Sequence, residues 1–153
     1  MNNSENFLIF NLGDVVLGVS LSYVEKIVDA SEFERVEVDG AKFFKFKNEI
    51  YPAVDFYEKF GIFREREQKN QAIILHSAKI SPVALIGSEC VIKSLKKDRI
   101  LQLPDLIFET DARKYFSSVA VDDGKVILLL NVDSLFSEID VKDMKKAIEK
   151  IER

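Results

Sequence analysis

The sequence is poor in the residues on which chemistry most often rests. It has one cysteine, one histidine, no tryptophan, three prolines and six glycines. A lone cysteine, Cys90, cannot form an intrachain disulfide, so no cystine scaffold holds this chain and a reducing compartment is expected. The lone histidine, His76, has no Cys, Asp or Glu at ligand spacing, which removes the usual basis for a zinc site and leaves a strand-end or turn residue. Gly13, Gly18, Gly61, Gly87 and Gly124 are scattered and build no phosphate-cradling loop. Long apolar runs are missing as well. The longest aliphatic one, Val126 to Leu130, falls far short of the roughly 20 residues that span a bilayer. The opening Met-Asn-Asn-Ser-Glu-Asn lacks the charged-then-apolar layout of a secretory signal. Nor is there a cationic excess: 22 Lys and Arg stand against 26 Asp and Glu, a net charge of -4, which argues against a nucleic-acid partner. A soluble cytoplasmic chain is expected, with no cofactor, no metal and no direct membrane insertion.

What is present is apolar bulk. Hydrophobic residues make up 47% of 153, and twelve phenylalanines supply large core material for one domain or two intimately packed halves. Phe7 to Leu12 and Val15 to Val19 flank Gly13-Asp14 and read as a hairpin. Ser22-Tyr-Val-Glu25 has the form of a capping box, and Val24, Ile27 and Val28 follow at helical spacing, which predicts a short helix over 22–29. A loop follows, with an extended piece at Val36 to Val38. Lys42 to Phe46 and Ile50 to Val54 read as strands about a Lys47-Asn48-Glu49 turn, with Asn48 at the tip because asparagine tolerates positive φ. Asp55 can cap a short helical turn closed by Gly61.

The second half repeats the plan. Ala72 to Leu75 and Ile80 to Ile86 form another strand pair turning at Ser77-Ala78, and Glu89 to Leu95 reads as a short helix or turn. Residues 96–115 look irregular, with a solvated basic run at Lys93, Lys96, Lys97 and Arg99. Ser117 to Val121 and Lys125 to Leu130 flank Asp123-Gly124, a strong hairpin signal, and Asn131 can cap a short helix through Phe136. Gly18-Val-Ser-Leu aligns with Pro82-Val-Ala-Leu, and Asp55 to Phe60 with Asn131 to Phe136 at a longer offset, the difference being absorbed in 96–115. In the tail, Val141, Met144, Ile148 and Ile151 make one apolar stripe on a charged amphipathic helix, 137–153.

Two hairpins per half leave sheet edges exposed, and curling each half into a barrel removes most of them. The expectation is all-β: two pseudo-symmetric five-stranded β-barrels, halves roughly 7–62 and 71–136 with strand exchange between them allowed, followed by the C-terminal α-helix. Alternation puts Phe44 and Phe46 on one face of their strand as core, and Phe43, Lys45 and Lys47 on the other as a candidate partner face. Asp122-Asp123 before Gly124 reads as a turn and not as a pair of catalytic acids.

Three segments in register resemble the CheW-like chemotaxis coupling proteins. They are Phe7-Leu-Ile-Phe-Asn-Leu-Gly-Asp14 with Gly18 and Val24, Ile50-Tyr-Pro-Ala-Val-Asp55 with Phe60-Gly61, and Val119 to Asn131 with Leu135-Phe136. The resemblance covers about residues 7–136. It implies two SH3-like five-stranded barrels in a domain over 1–136, no enzymatic activity, and a cytoplasmic adaptor role. The implied partners are the cytoplasmic tip of a chemoreceptor and the regulatory domain of a histidine kinase, with barrel ends packing on the kinase domain. It also places Val24 at a receptor-facing position. The family's usual Asn-Leu-Arg-Gly turn is Lys45-Phe46-Lys47-Asn48 here, so Lys47 keeps the arginine's charge without its bidentate fork. The strand Pro82 to Gly87 lacks the family's usual acid. The candidate partner-binding residues are Val24, Phe43, Lys45, Lys47, Asn48 and Glu49. A small-ligand- or peptide-binding double barrel outside chemotaxis is the alternative.

Overall fold

The computed structural model describes residues 3–38, 41–56, 70–78, 82–102 and 115–135, together with 146, 149 and 150. In chain order the strands are β1 (Ser4–Leu12), β2 (Val15–Ser20), β3 (Val24–Asp29), β4 (Glu34–Val38), β5 (Ala41–Phe46) and β6 (Glu49–Val54). After them come β7 (Asn70–Leu75), β8 (Val83–Lys96), β9 (Ile100–Gln102), β10 (Phe116–Asp122) and β11 (Lys125–Leu130). Short 3-10 turns at Leu21–Tyr23, Ala30–Glu32, Lys97–Arg99 and Val132–Ser134 link them. The turn expected beyond Asp55 and Phe56, and all of the C-terminal helix expected over 137–153 except Lys146, Glu149 and Lys150, fall outside the described residues.

The strands join in one 11-stranded sheet ordered β4-β5-β6-β8-β1-β2-β11-β10-β9, with β7 pairing β8 and β3 pairing β7 off that path. The all-β expectation holds; the two closed barrels do not. Among the described residues β3, β4 and β9 each pair on one side only, so the sheet is open and branched. The branch point is β8, which is 14 residues long. Its first part pairs with β7, Ala72↔Ile86 to Leu75↔Val83, and in parallel with β6, Ala53↔Ala84. Its second part pairs with β1, from Ile9↔Val91 to Ser4↔Lys96. One strand thus serves both halves, where the repeat alone would give each half its own.

That length corrects the reading of Glu89 to Leu95 as a helix or turn. β1 runs nine residues, and β2 covers only one of its edges, so β8 must continue to satisfy the other. The predicted 22–29 helix is likewise overturned. The helical portion is only Leu21–Tyr23, started by Ser20, whose hydroxyl accepts from the Ser22 N–H at 3.4 Å. From Val24 the chain extends and alternates half-buried and exposed residues. The cause lies across the sheet. Ala72, Ile73, Ile74 and Leu75 are all fully buried, so β7 needs a partner on each edge, and the β-branched Val24, Ile27 and Val28 supply the second one.

The hairpin expectations at Gly13-Asp14 and Asp123-Gly124 hold. Leu12 pairs with Val15 and Asp122 with Lys125, each across a two-residue turn. Asp123 (φ 50) and Gly124 (φ 75) are both left-handed, as a tight hairpin turn with the sheet's twist requires. Two cores result, and β1 divides them. Its Leu8, Phe10 and Leu12 enter a large core with β7, β8, Phe44, Tyr51 and Phe56, while Phe7 and Ile9 enter a small one with Leu95, Ala120, Ile127 and Leu129. Each such side chain contributes about 1.5–3 kcal/mol by burial. Ser88, the buried polar residue of the core, donates to the Asn11 carbonyl at 2.8 Å, beside the β1 irregularity between Ile9 and Asn11.

Candidate functional site

The β5–β6 hairpin turns at Lys47-Asn48, with Phe46 opposite Glu49. It is Lys47 and not Asn48 that takes positive φ (56°), so the expected tip residue is displaced by one. A lysine there carries backbone strain of about 1–2 kcal/mol. Its ammonium lies 5.3 Å from the Phe46 ring centroid, a contact that offsets part of this. Phe46 belongs to an aromatic group: the Phe33 ring sits 5.1 Å from it and 5.3 Å from Phe44. Lys26 on β3 stands 5.3 Å from Phe46 and 5.8 Å from Tyr51, and Arg35 on β4 stands 5.7 Å from Phe44. The hydroxyl of Tyr51 donates to the Glu49 carboxylate. Burial first, then that bond and the carboxylate's charge, push the tyrosine's pKa well above its ordinary value.

The predicted partner residues therefore divide. Lys45, Lys47, Asn48 and Glu49 are exposed on or beside the turn. Val24 is half-buried, paired with Leu75 and packed on the large core, and Lys26, just past the register shift that follows Val24, ties that strand to the hairpin. Phe43 is a correction. It has 0% exposure, opposite Pro52 and Val36, so it presents no surface to a partner. Both faces of β5 are covered at that point, and alternation by itself cannot reveal this. Lys26, Phe33 and Arg35 were missed because their grouping depends on β3 and β4 pairing at long range.

A second surface was also missed. The ladder sets Val121 opposite Val126, and the parallel pairing of Ile127 with Val16 brings Val126 beside Val15. Val126 is 56% exposed and Val15 38%, so an apolar row crosses β2, β11 and β10 next to two hairpin tips, with Asp14, Asp123 and Lys125 at its rim. Its signal in the sequence is a valine just after each turn. Scattered exposed apolar residues need no explanation, but a contiguous row at one end of a sheet suits protein contact.

Chemistry of other kinds finds little support. Among the described residues no group of three or more His, Cys, Asp or Glu is placed to hold a metal. Lys93 pairs with Asp122, joining two strands that share no ladder, and that bond raises the lysine's pKa. Asp123 serves the turn. Burial pushes the half-buried Cys90 thiol up to about 11, away from the reactive thiolate. His76 is exposed just past β7, its backbone N–H donated to the Tyr23 carbonyl at 2.9 Å. Among the described residues no helix is long and apolar enough to cross a membrane.

Comparison with known proteins adds to this geometry. The family model of the CheW-like domain matches residues 6–140. Among solved structures, the scaffolding protein TtCheW from Thermoanaerobacter tengcongensis superposes with a TM-score of 0.73 at 18% identity, covering 87% of this chain and 92% of that one. No curated protein matches the sequence. At that identity the superposition speaks for the fold alone.

Proposed function

Because this chain belongs to the family of CheW-like domains, we propose that it is a non-enzymatic cytoplasmic adaptor. It couples the cytoplasmic tip of a chemoreceptor to the regulatory domain of a chemotaxis histidine kinase. The observation that carries this reading is the apolar row of exposed Val15 and Val126 with half-buried Val121 beside them, set with its charged rim at one end of the sheet. In this family the sheet ends meet the kinase domain, and such a row is where a few apolar anchors provide affinity while rim charges provide specificity. The β5–β6 tip, with Lys45, Lys47, Asn48 and Glu49 exposed over an aromatic base, takes the receptor, and Val24 and Lys26 flank it on β3. The working unit is a domain over 1–136.

Titration calorimetry with the cognate kinase's regulatory domain tests this directly. Binding in the micromolar range is expected, and Val126→Lys should weaken it by at least about tenfold, since an ammonium would be buried among valines. The side chain is exposed in the free protein, so the melting temperature should not change. Absence of binding at high micromolar concentration would remove the kinase from the reading and favour a ligand- or peptide-binding protein outside chemotaxis.

A further inference from the structure

The parallel pairing of β2 with β11 ends at Leu129↔Gly18, and beyond it the two strands part into their own 3-10 turns, Leu21–Tyr23 and Val132–Ser134. A cleft of about 260 Å³ opens between these exits, bounded by the start of β1 and the start of β10. Its floor is apolar: Phe7 and Leu129, both of the small core, reach it from below. Its walls carry hydroxyls, from Ser20 and Ser22 on one side and Ser117 and Ser118 on the other, and Glu5 stands with them.

Three features define what such a cleft accepts. The charge is of one sign: its lining contains the Glu5 carboxylate and no lysine or arginine, so a cation is favoured over an anion even though the hydroxyls and the Asn131 amide could donate to either. Glu5 is held loosely. Its bond is the one donated by Ser20 at 3.5 Å, and among the described residues no cation pairs with it. Ser117 is held by long contacts, 3.4 Å to Ser118 and 3.4 Å to the Leu129 carbonyl, while Ser20 and Ser22 share one bond of 3.0 Å that either hydroxyl can donate. Such hydroxyls can turn their lone pairs toward a donor at little cost. A group with many fixed N–H donors, a positive charge and an aliphatic stem for the apolar floor satisfies all three features.

We infer that this cleft is a receptor for an arginine side chain presented by a partner protein, with Glu5 as counter-ion, the serine hydroxyls as acceptors, and Phe7 and Leu129 beneath the methylene stem. The inference stands apart from the adaptor reading, because the probe that tests it is neither kinase nor receptor.

The experiment uses the full chain, labelled with nitrogen-15 and titrated with N-acetyl-arginine amide or with the neutral isostere N-acetyl-citrulline amide. Backbone amide shifts are followed by NMR. Expected is a saturable, millimolar response confined to Ser20, Ser22, Ser118 and their neighbours with the arginine probe. The citrulline probe should bind at least about tenfold more weakly, the difference a charge-assisted bond makes. Glu5→Gln should weaken the arginine probe by a similar factor, with an unchanged spectrum elsewhere showing that the fold is intact. Equal binding of the two probes, undiminished binding to Glu5→Gln, or no localised shift at tens of millimolar arginine probe would each overturn the inference.

Discussion

Gly87 sits on the branch strand β8, and an added methyl group there would meet the ring of Phe10. A Cβ built on Gly87 lies 2.8 Å from Phe10 Cδ2, 3.1 Å from its Cγ and 3.3 Å from Ile73 Cδ1. Phe10 has 0% exposure and Ile73 likewise, so neither has free volume to retreat into. Gly87→Ala should therefore behave as an overpacking substitution, costing about 1–3 kcal/mol. The loss of unfolded-state freedom gives back about 0.4–1 kcal/mol, which leaves a net destabilisation of about 1–2 kcal/mol. For a chain of this size that lowers the melting temperature by roughly 3–7 °C. Calorimetric melting and urea unfolding both read it, with the denaturant slope unchanged. The sharper form is a double-mutant cycle. Phe10→Leu alone also destabilises, by opening space, but in the Gly87→Ala background it removes the clash. The pair should thus be less destabilising than the sum of its members by about 1 kcal/mol. A Gly87→Ala protein as stable as its parent, or an additive cycle, would refute the packing of β1 on β8 described above.

Two further outcomes are expected. Lys47→Glu should weaken capture of a receptor cytoplasmic fragment several-fold in a pull-down while lowering the melting temperature by only a few degrees, since it removes the Phe46 contact, worth about 0.5–1 kcal/mol, but leaves the fold's ladders intact; unchanged capture would take the receptor away from this hairpin. Cys90 supplies a pH test. Its thiol is held up to about 11 in the fold against an ordinary 9.0, so folding favours the protonated form. That contribution is complete below about pH 9 and is lost as pH rises toward about 11. Denaturant midpoints across that window should fall more steeply for the parent than for Cys90→Ala. Tyr51, shifted the same way, is common to both proteins and cancels in the difference. Parallel pH profiles would mean that Cys90 is not shielded from water.

What could be read in the sequence was local. Asp123-Gly124 and Gly13-Asp14 announce their hairpins because a two-residue turn needs left-handed backbone and few residues adopt it. β5 and β6 were equally legible, down to the exposed Lys45, Lys47, Asn48 and Glu49. What could not be read was decided by distant strands. Val24, Ile27 and Val28 fit a helical stripe as well as a strand, and only the fully buried β7 settles which. The length of β8 is set by the open edge of β1, and that one shared strand turns two expected barrels into a branched open sheet. Phe43 was placed on a solvent face because alternation separates two faces without saying that either is wet. Lys26 escaped notice for a related reason: on the predicted helix it had no route to Phe46, and on β3 it lies over the ring.

The adaptor reading rests on bridging, and bridging is measured most directly by co-sedimentation. Receptor cytoplasmic fragments on vesicles are mixed with the kinase, with and without this protein, and the kinase carried into the pellet is quantified. Expected is kinase retention that rises with added protein to a saturable level and drops for Val126→Lys and for Lys47→Glu. Kinase retention no greater with the protein than without it would contradict the coupling role.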